Sequence, residues 1–215
     1  MRDDFTALDD LEAAFPQLKP LRESILAAYR LMTACYDREG TLFVCGNGGS
    51  CADADHITGE LLKGFCRKRP MLPEEASRLA ECTDAERAAL LASRLQRGLR
   101  AISLMDFPAA ASAVANDLGQ DLAQAQLLYA LGRPGDVLIG ISTSGNAGNV
   151  ANAVAIAKMK GIAVIGLTGE NGGRLAREAD VAIKAPVTQT YRVQEFHLPI
   201  YHALCRLIEA RYFKA

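Results

Sequence analysis

Histidine is scarce in this chain, and the positions of its three histidines limit where imidazole chemistry can take place. His56 is followed four residues later by Glu60, in a stretch whose pattern predicts a helix. Side chains four residues apart lie on one face of a helix, one turn from each other. The spacing therefore suits two ligands of one metal ion or an acid–base pair, although an isolated pair of this kind is more often a solvated surface contact.

The other two histidines lie in the last predicted helix, roughly 190–213. Here Gln194, His197 and His202 interrupt an apolar stripe. The stripe consists of Val193, Phe196, Ile200, Leu204 and Ile208. A polar group inside an apolar stripe needs a hydrogen-bond partner or a ligand, so this helix is a second candidate source of chemistry.

Two loops rich in glycine, serine and asparagine are the strongest local signals for a ligand. Residues 46–50 read GNGGS and residues 142–146 read STSGN, and each segment follows a predicted strand and precedes a predicted helix. At such a turn the backbone N–H groups and the positive end of the helix face the same cleft, which favours a phosphate. Neither loop has the glycine spacing of a dinucleotide-binding loop or the lysine of a nucleoside-triphosphate loop.

The elements that position these residues follow from the apolar pattern. Short runs rich in Val, Ile and Leu predict strands, with helical patterns between them, at 41–45, 101–106, 136–141, 162–168 and 180–186. This alternation predicts an α/β fold, a three-layer doubly wound parallel sheet covered on both faces. We expect a single domain over 1–215, with N-terminal helices in 1–37, broken at Pro16 and Pro20, and a charge-rich helical insertion over 67–100.

Composition limits the function classes and the compartment. The formal net charge is −1, and 50% of the 215 residues are hydrophobic. Nucleic-acid and anionic-membrane binders usually carry a basic surplus, so neither partner is expected. No run of about 18 apolar residues occurs, which argues against a membrane span. The chain has six cysteines without a CxxC pair, and its N-terminus is acidic. Both features predict a cytoplasmic protein with reduced thiols.

Five segments together resemble the sugar isomerase (SIS) domain family and, within it, most closely the phosphoheptose isomerases. They are GNGGSCADADHITGEL (46–61), the pair Asn116 and Asp117, GDVLIGISTSGN (135–146), VIGLTGENGG (164–173) and YRVQEFHLPIYHALC (191–205). The match covers most of the chain except the insertion. The resemblance implies a flavodoxin-like sandwich and the isomerisation of a phosphorylated ketose, with sedoheptulose 7-phosphate as the expected substrate and D-glycero-D-manno-heptose 7-phosphate as the product.

The resemblance also implies roles for individual residues. A zinc site maps onto His56, Glu60, Gln194 and His202, and the base and the acid map onto Glu60 and His202. Substrate and phosphate contacts map onto Asn47, Gly48, Gly49, Ser50, Asn116, Asp117, Ser142, Thr143, Ser144 and Gln194. His197 also matches a motif position, and we expect it to pack or to support a ligand. Members of the family are tetramers with sites between subunits, so a homotetramer is expected.

The residue types suit this chemistry independently of the resemblance. Aldose–ketose isomerisation moves a proton between two carbons through an enediol or enediolate, so it needs a carboxylate base, an acid and a positive centre. One geometric objection follows from the spacing. Gln194 and His202 are eight residues apart, which is about 12 Å along a regular helix. Both reach one ion only if Gln194 lies at an irregular helix start or if different subunits contribute.

Three departures from the family pattern affect the expected substrate. Ala147 stands where the family usually has a phosphate-binding serine, and Tyr191 stands where some members have an acidic residue. The insertion is expected to reshape the mouth of the cleft. The main alternative is a non-catalytic SIS-fold protein that binds a sugar phosphate or protein partners, resembling the replication initiator-associating protein. Retention of all four metal-site residues favours the enzyme. A regulatory domain would normally carry a DNA-binding segment, for which no room is evident.

Overall fold

The computed structural model describes residues 5–213 as a parallel sheet with helices on both faces. Within that range the strands are β1 (Leu42–Cys45), β2 (Ala101–Ser103), β3 (Val137–Ser142), β4 (Ala163–Thr168) and β5 (Val181–Lys184). The α-helices in the same range are α1 (Thr6–Ala14), α2 (Arg22–Tyr36), α3 (Gly49–Leu62), α4 (Pro73–Cys82), α5 (Ala85–Arg94), α6 (Pro108–Asp117), α7 (Ala123–Leu131), α8 (Gly148–Lys160), α9 (Gly173–Glu178) and α10 (Thr190–Tyr212).

The five strands are all parallel and lie in the order β2-β1-β3-β4-β5. The chain leaves β1 to form β2 on one side and later returns to form β3 on the other side of β1. This reversal between β1 and β3 is the point at which open parallel sheets bind ligands, outside the carboxyl ends of the strands. The GNGGS loop follows β1 and the STSGN loop follows β3, so both loops lie at this point.

Side-chain alternation along the strands builds two separate cores. In β1, Leu42 and Val44 point to the face covered by α1, α2, α3 and α10, whereas Phe43 and Cys45 point to the face covered by α7, α8 and α9. Burial on both faces explains why the strands are continuous apolar runs. The predicted α/β fold is therefore confirmed, and α6 and α7 are helices that the sequence pattern did not single out.

The predicted N-terminal helices are seen as α1 and α2, with a 3-10 segment between them that contains both prolines, Pro16 and Pro20. The first four residues of the predicted helical segment 1–37 lie outside the described range. The strand predicted over 101–106 is shorter than expected. It ends at Ser103 because a turn follows, in which the backbone N–H of Asp106 donates to the carbonyl of Ser103.

The segment 67–100, predicted as an insertion, contains a helical hairpin made of α4 and α5. None of the described residues of α4 is buried, and Ala88 is the buried residue of α5. At the base of the hairpin Pro70 and Gln96 form an isolated antiparallel bridge. No helix in residues 5–213 is long and apolar enough to cross a lipid bilayer.

Candidate functional site

The two loops at the carboxyl edge of the sheet are joined by a pair of amide side chains. Nδ2 of Asn47 donates to Oδ1 of Asn149 at 2.8 Å, and Nδ2 of Asn149 donates to Oδ1 of Asn47 at 2.7 Å. Asn47 belongs to the GNGGS loop, and Asn149 lies in the first turn of α8, directly after the STSGN loop. The structure therefore brings the two predicted phosphate-binding loops together.

The GNGGS loop depends on glycine at two positions. Gly48 has a φ of 54°, a left-handed backbone conformation that glycine adopts without steric strain. A Cβ atom at Gly49 would collide with the side-chain amide of Gln194. Gln194 of α10 therefore lies directly against the loop, while Ser50 is buried in the first turn of α3.

The STSGN loop is held by its own hydroxyl groups. Oγ of Ser142 accepts from the backbone N–H of Ala147 at 3.4 Å, and Oγ of Ser144 accepts from the backbone N–H of Asn146 at 3.2 Å. Ser142 is buried, Thr143 is half-buried and Ser144 is exposed. The loop therefore places hydroxyl groups just before the N-terminus of α8, where they can donate hydrogen bonds to an anion.

Two imidazoles and one carboxylate meet between α3 and α10, and we call His56, Glu60 and His202 the imidazole cluster. Nε2 of His56 lies 3.2 Å from Oε1 of Glu60 and 3.4 Å from Nε2 of His202. Oε2 of Glu60 is buried and has no hydrogen-bond partner. The predicted pair of His56 and Glu60 is thus joined by His202, which lies almost 150 residues later in the sequence.

The far side of the His56 ring contacts Tyr201, which in turn bonds Asp53, and neither residue was predicted to belong to the site. The hydroxyl of Tyr201 lies 3.0 Å from Nδ1 of His56 and donates to Oδ1 of Asp53 at 3.2 Å. Tyr201 is 2% exposed, and Oδ2 of Asp53 is buried without a hydrogen-bond partner. Sequence spacing places both residues near the histidines, since Asp53 is three residues before His56 and Tyr201 is one before His202. The contact between them, however, depends on how the two helices pack.

Burial controls the protonation of these groups. Burial lowers the pKa of His202, and the neighbouring His56 lowers it further while Glu60 opposes the change, so this imidazole is neutral at pH 7. Burial raises the pKa of Asp53. Burial and the adjacent Asp53 also raise the pKa of Tyr201, so its hydroxyl stays protonated and can donate a hydrogen bond.

The nitrogen and oxygen atoms of the imidazole cluster are of the types that bind zinc, although they contact each other directly. Zinc–nitrogen bonds of about 2.0–2.1 Å place neighbouring ligands of a tetrahedral ion about 3.3 Å apart, and the two distances within the imidazole cluster have this length. In residues 5–213 no group of three or more His, Cys, Asp and Glu side chains is already arranged to hold an ion. Binding an ion would therefore require the cluster to rearrange.

Gln194 does not join the imidazole cluster within one chain. Helix α10 begins at Thr190, so Gln194 lies inside it and not at an irregular start. Helices α3 and α10 run side by side in the same direction, because Gln194 lies against Gly49 and His202 lies against His56. The separation of about 12 Å expected from the spacing therefore holds.

Two further predicted sites lie apart from the imidazole cluster. Asn116 and Asp117 are exposed at the end of α6, where Nδ2 of Asn116 donates to Oδ1 of Asp117 at 2.8 Å. His197 is fully buried, and neither of its ring nitrogens has a hydrogen-bond partner. Burial lowers the pKa of His197 to about 4, and the nearby backbone of Thr168 offsets only part of this effect. His197 therefore packs inside the core as a neutral ring.

Comparisons with known proteins agree with the fold and the motifs. Two family models described as SIS domains match residues 8–103 and 115–204. The phosphoheptose isomerase of Rhodospirillum rubrum is 35% identical over 210 residues, covering 97% of each chain, and that of Roseiflexus is 34% identical, covering 99% of this chain and 97% of the relative.

Solved structures are similar over nearly the same length. The phosphoheptose isomerase of Neisseria gonorrhoeae has a TM-score of 0.73 and 33% identity, covering 94% of both chains. The phosphoheptose isomerase of Francisella tularensis has a TM-score of 0.75 and 30% identity, covering 93% of this chain and 92% of that chain.

Proposed function

The chain belongs to the phosphoheptose isomerase family of SIS-domain proteins, and we propose that it converts sedoheptulose 7-phosphate to D-glycero-D-manno-heptose 7-phosphate. The observation that carries the proposal is the imidazole cluster, in which Glu60 and His202 meet at His56. A carboxylate is the base that this isomerisation needs, and a neutral imidazole can relay a proton between the two sugar oxygens.

Glu60 is suited to move the proton between the two carbons. Its Oε1 contacts His56, whereas Oε2 is buried, makes no hydrogen bond and lies 4.0 Å from Nζ of Lys63. In the forward direction this oxygen takes a proton from C1 of the ketose, and the electron pair of the broken C–H bond forms the enediolate. Return of the proton to C2 completes the aldose, so no oxidant or reductant is required.

His202 is suited to serve the sugar oxygens. As the carbonyl at C2 becomes a hydroxyl, an acid must supply a proton to its oxygen, and the hydroxyl at C1 must lose one as the aldehyde forms. A neutral imidazole can carry out both transfers by accepting the proton of the C1 hydroxyl and passing it to the C2 oxygen. Since the two loops bind the phosphate through N–H and hydroxyl groups, the anion needs no surplus of basic residues.

The residue types of the imidazole cluster also suit a divalent zinc ion, and binding it would require the cluster to rearrange. His56, Glu60 and His202 would hold it, and zinc would polarise the carbonyl and hydroxyl oxygens of the substrate as a Lewis acid. The fourth family ligand, Gln194, lies too far along α10 in the same chain. We therefore assign this ligand to a second copy, within the homotetramer that the family relationship favours.

The free cysteines support the cytoplasm as the compartment, and the proposed product makes heptose biosynthesis the setting. Every cysteine in the described residues is free, namely Cys35, Cys45, Cys51, Cys66, Cys82 and Cys205. Exposed free thiols such as those of Cys66 and Cys82 persist in a reducing environment.

The test is an isomerase assay on sedoheptulose 7-phosphate with zinc, with a chelator, and with the variant Glu60→Gln. We expect wild type to be active, the chelator to reduce activity, and Glu60→Gln to lose about 10²–10⁴-fold in kcat. The control is Glu178→Gln, whose carboxylate pairs with Arg174 on α9, and it should keep wild-type kinetics.

Each outcome decides one part of the proposal. An inactive wild type in the presence of zinc would favour the non-catalytic alternative. Full activity of Glu60→Gln would show that another group is the base. Full activity after complete removal of bound metal would remove zinc from the mechanism.

A further inference from the structure

A fully buried ion pair connects the two helices that carry the imidazole cluster. Arg69 follows α3, and its side chain is 0% exposed, while that of Glu209 on α10 is 1% exposed. Nε and Nη2 of Arg69 both lie 2.9 Å from Oε1 of Glu209. The guanidinium also stacks on the ring of Phe213, 4.4 Å from its centroid.

The remaining donors of Arg69 cap the end of α3. Nη1 donates to the carbonyl of Leu61 at 2.7 Å, and Nη2 donates to the carbonyl of Glu60 at 3.0 Å. Both carbonyls belong to the last turn of the helix, where no intrahelical donor is available. Arg69 therefore bonds the backbone of the residue proposed as the base.

Glu209 secures the chain just beyond α3 from the side of α10. Its Oε1 accepts from the backbone N–H of Phe65 at 2.9 Å, and its Oε2 accepts from that of Cys66 at 2.8 Å. Burial alone would raise the pKa of Glu209, but these two hydrogen bonds and Arg69 lower it below its usual range, so the group is charged. Glu209 lies two turns after His202 on the same helix. The pair thus links the helix of Glu60 to the helix of His202.

Stability alone gives little reason for such a pair. Buried ion pairs are often no more stabilising than well-packed apolar side chains of similar volume, because both charges lose their hydration. What an apolar pair cannot do is bond the carbonyls of Glu60 and Leu61 and fix how far α3 slides along α10. The position of His56 and Glu60 relative to His202 depends on that alignment.

We propose that Arg69 and Glu209 are positioning residues that set the alignment of α3 against α10 and thereby the geometry of the imidazole cluster. The functional part of this inference rests on the proposed isomerase activity. A displacement of about 1 Å between reacting groups can cost about a hundredfold in rate, so the alignment should affect kcat far more than KM.

The test replaces both charges at once with Arg69→Met and Glu209→Leu, so that no unpaired charge remains buried. We expect a folded protein with a lower melting temperature, because four backbone groups lose these hydrogen-bond partners. Its kcat should be lower by about tenfold or more, with a nearly unchanged KM. The control Asp37→Asn weakens the contacts of Asp37 with Arg211 and Tyr212 at the same end of α10, without touching α3, and should leave kcat unchanged.

A second readout does not require catalysis. With three histidines in the chain, a long-range ¹H–¹⁵N NMR spectrum of the imidazoles can be assigned with single substitutions. In the double variant the signals of His56 and His202 should shift, while those of the buried His197 should stay in place. This readout holds even if the wild-type chain does not act on sedoheptulose 7-phosphate, so failure of the proposed function remains distinguishable.

Unchanged kcat together with unchanged His56 and His202 signals in the folded double variant would overturn the proposal. If that variant does not fold, Arg69→Lys is the test. Its single ammonium keeps the charge but cannot bond Glu209 and both carbonyls together. Shifted His56 and His202 signals in Arg69→Lys would support the proposal, and wild-type signals would overturn it.

Discussion

The hydroxyl oxygen of Tyr201 lies 3.0 Å from Nδ1 of His56, on the opposite side of the ring from Nε2, which faces Glu60 and His202. The same hydroxyl donates to Oδ1 of Asp53 at 3.2 Å. Tyr201 therefore holds one ring nitrogen of His56, fixes the orientation of the ring and turns Nε2 towards the imidazole cluster.

Tyr201→Phe should weaken the site without unfolding the protein. The ring remains, but the hydroxyl that orients His56 is lost, and removal of such a partner costs about 10–100-fold in metal affinity or activity. Zinc titration and isomerase kinetics measure both effects. Tyr129→Phe, at an exposed tyrosine on α7, is the control. Wild-type zinc affinity and kcat in Tyr201→Phe would contradict this role.

Ser144→Ala should raise KM for the phosphorylated substrate. The hydroxyl of Ser144 lies at the open end of the STSGN loop, and a hydrogen bond to a charged group is worth about 1.5–3 kcal/mol, which corresponds to a KM about tenfold or more above wild type. Steady-state kinetics should show little change in kcat, and Ser77→Ala on α4 should show no change at all. Unchanged KM would mean that the phosphate binds elsewhere.

Mixing two inactive variants tests whether the site combines residues of two copies. Gln194→Ala and His202→Ala should each be inactive as pure proteins. In mixed oligomers the intact imidazole cluster of the first variant can meet the intact Gln194 of the second, so activity should return.

The control for this experiment is a mixture of Glu60→Gln and His202→Ala. Both residues belong to the imidazole cluster of one chain, so every cluster stays damaged and no activity should return. Absence of recovery in the first mixture, with mixed oligomers demonstrated by mass spectrometry, would contradict a shared site.

His197 should make the protein less stable in acid. Its pKa is about 4 in the folded chain, below the ordinary value of 6.5, so between these values the unfolded chain binds a proton that the folded chain does not. Stability is therefore fully present above pH 6.5 and falls as the pH drops towards 4, by up to about 3 kcal/mol.

Denaturant unfolding of wild type and His197→Met at several pH values measures this effect. The variant has a buried apolar side chain at this position, which cannot bind a proton. The contributions of all other titrating groups cancel when the free energies of unfolding of the two proteins are subtracted. The advantage of the variant should grow as the pH falls from 6.5 to 4. A difference that does not vary with pH would show that His197 is not buried in its neutral form.

Sequence reasoning could predict the sheet, the two loops and the His56–Glu60 pair, because these depend on neighbouring residues. Apolar runs mark the strands, and a spacing of four places two side chains on one helix face. The contacts of Tyr201 with His56 and of Arg69 with Glu209 could not be predicted in this way. They join segments about 140 residues apart, and they depend on how α3 slides along α10.

The bridge between Pro70 and Gln96 has a consequence for the evolution of the chain. The α4–α5 hairpin leaves the domain and returns to it at two positions that lie side by side, and its helices bury almost nothing against the sheet. The fold can therefore gain, lose or exchange the residues between these positions while both loops and the imidazole cluster stay in place. Changes in the hairpin therefore alter the outer surface of the protein while the core around the sheet stays intact.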